Sequence, residues 1–161
     1  MLPRRIADAS PLILMAKVGR LDLLRLGGVD VAVPDVVVRE IGVRGPGDLT
    51  VRAIQQAGWL IVVPTPPVPA SVRGCKLDEG ESGVLAVAVA ELGSEAVLDD
   101  QAARRCARAL GVPVLGTVGL VLAAKRLGAI LAARPVVDDL RRAGLYLDDS
   151  FVAEALKRVG E

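Results

Sequence analysis

Short runs of aliphatic residues alternate with helical segments along this 161-residue chain, and this alternation restricts the fold more than any other feature. Five runs are predicted to be strands: residues 5–8, 30–33, 59–63, 95–98 and 112–115. They are nearly continuously apolar, which is typical of strands that are covered on both faces. The sequence therefore predicts a three-layer α/β/α sandwich around a central, mainly parallel sheet of about five strands.

Length and composition fit one globular unit. We predict a single domain over residues 1–161, in which residues 130–161 form a C-terminal helical extension. The chain is 52% hydrophobic, has a net charge of +1, and contains only three aromatic residues, Trp59, Tyr146 and Phe151. The balanced charge provides no global field to attract nucleic acid. So few rings argue against the base-stacking platforms of RRM and OB folds.

The cysteines and the apolar segments suggest a cellular location. Cys75 and Cys106 match neither a zinc knuckle nor a C-x-x-C motif, and we interpret them as small buried apolar residues in a reducing compartment. Asp8 interrupts the apolar run after Arg4-Arg5, which disfavours a signal peptide. The longest uncharged stretch carries four prolines, unlike a membrane span. We therefore expect a cytoplasmic protein without membrane association.

Acidic residues stand where the predicted elements begin or end. Asp8 follows the first strand, the pair Asp99-Asp100 follows the fourth, Glu81 opens a long helix, and Glu40 lies in the helix after the second strand. Open parallel sheets bind ligands beyond the carboxyl ends of their strands, so these side chains are expected to meet. Converging carboxylates repel one another unless a cation lies between them. Ligands that are all oxygen favour Mg²⁺ or Mn²⁺.

The absence of histidine narrows the chemistry further. Without a histidine base, the chemistry that remains is water activated by a divalent ion for attack on phosphorus, and no histidine-like titration near neutrality is expected. Each acid alone also has a structural explanation: Asp8 or Asp100 as a helix cap, Glu81 as a complement to the helix dipole, Glu40 as a solvated charge. The combination and order of the acids predict the metal site.

The order of these motifs resembles that of the PIN-domain ribonucleases. The segments are Asp8-Ala9-Ser10-Pro11-Leu12-Ile13, then Glu40, then Gly80-Glu81-Ser82-Gly83-Val84-Leu85-Ala86, then Leu98-Asp99-Asp100-Gln101-Ala102-Ala103-Arg104. The resemblance covers about residues 4–130 and is strongest to small prokaryotic PIN-like proteins that carry a Gly-Glu-Ser and an Asp-Asp-x-x-Ala-Arg segment. The segment Gly111–Gly119, Gly-Val-Pro-Val-Leu-Gly-Thr-Val-Gly, also fits that branch.

The resemblance implies roles for individual residues. The implied catalytic quartet is Asp8, Glu40, Glu81 and Asp100, and the implied metal ligands are Asp8, Glu81, Asp99 and Asp100. Ser10, Thr117 and Arg104 are expected near the substrate phosphate, although Thr117 could equally cap a helix. Most PIN domains carry Thr-x-Asp where this chain has Leu98-Asp99-Asp100, so either aspartate can be the fourth acid.

The same resemblance implies a function and partners. It implies an Mg²⁺- or Mn²⁺-dependent endoribonuclease, the toxin of a type II toxin–antitoxin pair, with a small antitoxin partner and a homodimeric state. A homodimer contact is also suggested by apolar surface beyond what one sheet face needs. This surface comes from the tail helices and from four residues of one late helix, namely Leu120, Val121, Ala124 and Leu127. Basic residues that could hold the RNA backbone are Arg44, Lys76, Arg104, Arg105 and Arg108.

Two other functions remain open at this stage. One is a non-catalytic PIN-like module that keeps the fold but only binds a partner. The other is a receiver-type phosphoacceptor domain, whose acid pair would follow the first strand and whose lysine would end the fifth. Here the acid pair follows the fourth strand, and Lys125 lies inside a predicted helix, so the receiver alternative is poorly supported.

Overall fold

Five short strands form one parallel sheet in the computed structural model, which describes residues 4–161. The strands are β1 Arg5–Ala7, β2 Val31–Pro34, β3 Leu60–Val63, β4 Glu95–Val97 and β5 Val114–Leu115. Their order across the sheet is β3-β2-β1-β4-β5, and every neighbouring pair is parallel. The predicted sheet is confirmed, and it is parallel throughout.

Nine α-helices within the described residues surround this sheet in a three-layer α/β arrangement. They are α1 Ala9–Lys17, α2 Asp35–Gly42, α3 Leu49–Gln56, α4 Ala70–Arg73, α5 Glu79–Ala90, α6 Gln101–Ala109, α7 Thr117–Arg126, α8 Arg134–Arg142 and α9 Asp149–Lys157. A 3₁₀ helix, Leu21–Arg25, precedes β2. The apolar residues of the strands and inner helix faces are buried in one continuous cluster. None of the helices in this range has the length and apolar sequence needed to cross a bilayer.

The strand order creates a crevice beside β1. The chain adds β2 and then β3 on one side of β1, and afterwards returns to place β4 and β5 on the other side. The helices after β1 and β4 therefore leave the sheet next to each other, at a point where the order of strands reverses. In open α/β sheets such a reversal leaves a crevice beyond the carboxyl ends of the strands, where ligands bind.

The cysteine interpretation is wrong. Cys75, in the loop before α5, forms a disulfide with Cys106 on α6, with the two Cα atoms 6.1 Å apart. A separation of 31 residues gave no motif to recognise, because the fold rather than a local pattern brings α5 and α6 together. The disulfide also removes the support that the cysteines gave to a reducing compartment.

The surface attributed to a homodimer contact lies mostly inside the chain. Leu120, Val121 and Ala124 are buried, because α7 packs against α1, α8 and α9. Leu127 alone of the four is exposed, at 68%. The helices of the C-terminal extension therefore cover the apolar face that seemed to be in excess.

Candidate active site

The acids that follow β1 and β4 lie at the same edge of the sheet. Ala7 of β1 lies beside Val97 of β4, and the amide of Asp8 donates a hydrogen bond to the Val97 carbonyl at 3.2 Å. Asp8 thus continues the pairing by one residue, and Asp99-Asp100 follow β4 at the same level. The expected meeting of the two strand-end acids is therefore built into the strand register.

Asp8 is the most buried acid of this site, at 7% exposure. It occupies the N-cap position of α1, yet its side chain makes no capping hydrogen bond. Ser10 lies in the first turn of α1. Burial raises the pKa of Asp8 to about 7 against the lowering effect of the Ala9 amide, and the charges of Asp78, Glu81 and Glu40 raise it further.

Three acids surround Gly80 in the first turn of α5. A Cβ added to Gly80 would collide with Oε2 of Glu40, and would lie 3.3 Å from Oδ1 of Asp8 and 3.6 Å from Oδ1 of Asp78. One turn later, a Cβ at Gly83 would collide with Val36 of α2. The glycines thus let α5 approach α2 closely, and this approach brings Glu40 to the acids from β1 and α5.

The pKa values of the glutamates reflect the same crowding. Burial raises the pKa of Glu81 to about 7, and the charges of Asp78, Asp100 and Glu40 add to the effect, whereas a hydrogen bond from the Asp78 amide opposes it. The pKa of Glu40 is raised by partial burial and by the charges of Asp78 and Glu79. These carboxylates destabilise one another's charged forms, a penalty that a bound cation removes.

Asp78 is the member of this cluster that sequence reasoning missed. Its Oδ1 accepts a hydrogen bond from the Glu81 amide at 2.8 Å, and Oε2 of Glu81 accepts one from the Asp78 amide at 3.4 Å. This is a capping box, and its sequence signature, Asp-x-x-Glu, ordinarily indicates only a helix start. A capping pair beside Gly80 in a chain with other strand-end acids was the signal that could have revealed Asp78.

Asp99 and Asp100 play different structural parts. Asp99 accepts hydrogen bonds from the amide and hydroxyl of Thr117 and from the hydroxyl of Ser10, the last at 3.3 Å. Asp100 caps α6 through a bond from the Ala103 amide to Oδ2, at 2.9 Å, and its charge is close enough to raise the pKa of Glu81. Thr117 is fully buried and begins α7.

The basic residues are distributed unevenly around the site. Arg104 is half-buried, donates to the Leu98 carbonyl at 3.0 Å, and lies with Arg108 along a cavity that starts at Asp99. Arg44 is paired with Asp48 at 3.2 Å. Lys76 and Arg105 are exposed. Arg104 and Arg108 are therefore the expected basic residues that line the same cavity as an acid of the site.

The donor set fits a hard divalent cation. Within residues 4–161, no group of three or more acidic, histidine or cysteine side chains already stands in a metal-ligating arrangement. The acids nevertheless offer oxygen ligands only, and Gly80 leaves free the volume that a Cβ would fill beside Glu40 and Asp8. Burial and mutual repulsion raise the pKa values of Asp8, Glu40 and Glu81, and a bound cation would counteract both effects.

Comparison with known proteins identifies the family of this chain. The family model described as DUF3368: PIN domain matches residues 4–161, which is nearly the whole chain. No curated protein gives a significant match. PIN domains are generally metal-dependent nucleases. The chain belongs to the PIN-domain family.

Proposed function

We propose that this protein is a metal-dependent endoribonuclease that hydrolyses RNA phosphodiester bonds with Mg²⁺ or Mn²⁺. The observation that carries the proposal is the buried Asp8, whose pKa is raised to about 7 beside Glu40, Asp78 and Glu81. A buried acid crowded by three others at a strand end is costly for a purely structural role, since cores favour neutral or paired groups. It is the arrangement expected of a cation site.

The proposed roles follow from burial and hydrogen bonding. Asp8, Glu81 and Asp100 are proposed to hold the ion, with Asp99 as the fourth candidate ligand. When bound, the ion would neutralise charge on the phosphate and lower the pKa of a water molecule. Glu40 is more exposed than Asp8 and lines a cavity of about 370 Å³ with Asp78 and Arg39, so we propose that it orients water arriving from that side.

The residues proposed to contact the substrate need one revision. Thr117 is fully buried, and its amide and hydroxyl both donate hydrogen bonds to Asp99. We therefore propose that Thr117 positions Asp99 instead of touching the phosphate. Ser10 is exposed and donates only one 3.3 Å bond, so its hydroxyl remains available to a phosphate oxygen. Arg104 is proposed to contact the phosphate from the opposite side of Asp99.

The decisive experiment is cleavage by purified protein. An unstructured RNA, a structured tRNA pool and a DNA of the same sequence are incubated with Mg²⁺, Mn²⁺ or EDTA, and products are resolved on a gel. We expect cleavage of RNA with either metal, none in EDTA, and none by Asp8→Asn. Cleavage that persists in EDTA, or undiminished activity of Asp8→Asn, contradicts the proposal. Tight RNA binding without any cleavage would favour a non-catalytic module.

The biological setting is a separate proposal that rests on the resemblance to small prokaryotic PIN-like proteins. We propose that the protein is the toxin of a type II toxin–antitoxin pair, acts on cytoplasmic RNA, and is inhibited by a small antitoxin. Induced expression in bacteria should then stop growth, and Asp8→Asn should abolish this effect. Equal growth arrest by both proteins would contradict a toxin that works through this site.

A homodimer is also proposed. Leu127 and Leu131 are 68% and 95% exposed at the C-terminal end of α7, which leaves apolar surface there for a second copy. Sedimentation of the purified protein should give twice the mass of the 16.7 kDa chain. The variant Leu131→Glu should shift the equilibrium to monomer, whereas Leu92→Glu, at another exposed leucine, should leave it unchanged. A monomer at all concentrations contradicts the proposal.

A further inference from the structure

A second cavity of about 370 Å³ opens beside Asp99, away from Gly80. Its walls come from α6, from the turn between β5 and α7, and from the segment 145–147 with α9. At its inner end, a Cβ added to Gly116 would collide with the guanidinium of Arg104 and lie 3.4 Å from Asp99. Asp99, which follows β4, thus lies at the inner end of the cavity, whereas the outer walls belong to the C-terminal helices.

Two of the three aromatic residues of the chain line this cavity. Tyr146 is 91% exposed and Phe151 is 48% exposed. Trp59 lies elsewhere, under the guanidinium of Arg25 at 5.2 Å. The small number of aromatic residues in the whole sequence argued against a stacking surface, but it does not show where in the fold the rings lie. The fold gathers both remaining rings at one opening, where they present flat apolar surface to a ligand.

Three arginines, Arg104, Arg108 and Arg158, line the same cavity. None of the three forms an ion pair with an acidic residue within 4–161. Burial lowers the pKa of Arg104, and the charge of Arg108 lowers it further although Asp99 opposes this effect, so the two arginines are close enough to repel. Asp99 is the only acid in the lining, and its oxygens already accept three hydrogen bonds.

We propose that this aromatic–arginine pocket binds an unpaired nucleotide of single-stranded nucleic acid beside the acid site. A base stacks on Tyr146 and Phe151, and the flanking phosphates lie against Arg104, Arg108 and Arg158. Stacking on aromatic side chains requires a base that is not paired, so the substrate of the acid site is single-stranded at this position. The inference rests on the proposed nuclease function, because it specifies the substrate of that same site.

An acidic peptide is the main competing occupant, since carboxylates also pair with arginine. Two observations favour the nucleotide. Exposed rings flank the arginines, and base stacking uses both features together, whereas an acidic side chain uses only the charge. Asp99 lines the pocket and directly precedes Asp100, a proposed metal ligand, so a nucleotide in the pocket would lie beside the proposed metal site.

The test measures binding separately from cleavage. The Asp8→Asn protein is titrated with a fluorescently labelled single-stranded RNA, with the corresponding duplex, and with the same strand carrying one abasic nucleotide, and anisotropy is recorded. We expect the single strand to bind most tightly. Tyr146→Ala in this background should weaken binding about 5- to 100-fold, as expected for one stacked base, and Tyr146→Phe should retain it. Removal of the base from the strand should therefore reduce affinity less for Tyr146→Ala than for the parent protein.

Charge is tested with a matched pair on α6. Arg108→Gln should reduce the slope of log K against log salt concentration by about 0.7, the value for one phosphate contact on a single strand. Arg105→Gln removes the same charge from the same helix but outside the pocket, and should leave the slope unchanged. Since Tyr146 and Arg108 are exposed, these variants should fold, and thermal melts on each preparation verify this.

The outcomes distinguish the pocket from the nuclease proposal. RNA affinity that is unchanged in Tyr146→Ala, or a duplex that binds as tightly as the single strand, overturns the pocket even if the protein cleaves RNA. Displacement of the RNA by an acidic peptide at equal concentration would assign the pocket to a protein partner and also overturn it. Tyr146-dependent binding by a protein that cleaves nothing would retain the pocket and contradict the nuclease.

Discussion

The carboxylate of Asp99 accepts two hydrogen bonds from Thr117, one from its amide at 2.8 Å and one from its hydroxyl at 2.6 Å. Because Asp99 follows β4 and Thr117 begins α7 after β5, this contact joins the ends of two neighbouring strands. It also satisfies an amide in the first turn of α7, a helix whose N-cap residue, Gly116, provides no side-chain cap. Asp100, by contrast, has one oxygen left free of such bonds.

Because Asp99 and Asp100 differ in their hydrogen bonds, we expect their substitutions to have different effects on activity and stability. Asp100→Asn should reduce cleavage by about 100-fold or more, because a ligand loses charge and coordination. Asp99→Asn should cost less activity but more stability, roughly 1–3 kcal/mol, since it weakens hydrogen bonds to a charged acceptor. Thr117→Val should reproduce the stability loss. Cleavage rates and urea unfolding decide the question, and a larger activity loss in Asp99→Asn with unchanged stability would make Asp99 the ligand.

The buried acid Asp8 predicts how stability varies with pH. Its pKa of about 7 in the folded protein lies above the ordinary value of 3.8, so between these pH values the folded state holds a proton that the unfolded state releases. Stability from this group is therefore fully present at low pH and is lost as the pH rises through about 7. Without metal, Asp8→Asn should be more stable than the parent at pH 8, by roughly 1–3 kcal/mol. Unfolding in EDTA at pH 5 and pH 8 tests this, with exposed Asp22→Asn as the control.

Metal binding should depend on pH in the same range as the stability. The lack of histidine predicted no histidine-like titration near neutrality, but burial raises the pKa of both Asp8 and Glu81 to about 7. Protons therefore compete with the cation below that pH, and cleavage should rise between pH 6 and pH 8 with Mg²⁺ or Mn²⁺. Ca²⁺ should bind but support cleavage poorly, because it favours looser coordination. A rate that is independent of pH across this range would contradict the assignment of these acids as ligands.

Gly80 offers a test that leaves every charge in place. Gly80→Ala should displace Glu40 and Asp8, because its Cβ would collide with the first and press on the second. We expect at least a tenfold weaker response to Mg²⁺, measured as the metal concentration for half-maximal cleavage, in line with changes beside a ligand shell. Gly42→Ala, in the helix that carries Glu40 but with open space around it, should leave the response unchanged. An equal dependence of cleavage on Mg²⁺ in the two variants would contradict the close packing of Glu40 and Asp8 around Gly80.

The disulfide predicts a dependence of stability on redox conditions. It closes a sequence separation of 31 residues, for which chain entropy gives about 3–4 kcal/mol of stabilisation. Thermal melts should therefore shift downward in dithiothreitol, and the double variant Cys75→Ala, Cys106→Ala should no longer respond. Cleavage well below the melting temperature should persist in both states, because neither cysteine lines the cavity beside Glu40 and Asp78 or the cavity beside Asp99. An unchanged melting temperature would mean that the bond contributes nothing to the folded state.

The sequence predicted those parts of the site that depend on strand ends. Asp8 and Asp99-Asp100 could be placed at one edge because parallel strands share a direction. The approach of Glu40 could not be derived in this way, since it depends on Val36 packing against Gly83 between two helices. Asp78 was not recognised because its sequence context is that of an ordinary capping box. The Cys75–Cys106 bond was not recognised because no local motif indicates it. Patterns along the chain reveal elements and their ends, whereas contacts between helices depend on side-chain shape.

The central position of β1 has a consequence for how the molecule forms. Arg5 of β1 pairs with Val31 of β2 but also with Glu95 of β4, so one neighbour of the first strand is synthesised long after the other. During synthesis on the ribosome, one edge of β1 stays open until β4 emerges, and contacts that join such distant residues form slowly. An unfinished chain already contains Asp8, Glu40 and Glu81 but has no neighbour for β1 on that side. Asp99 and Asp100, which follow β4, therefore join the other acids late, in the step that closes the sheet around β1.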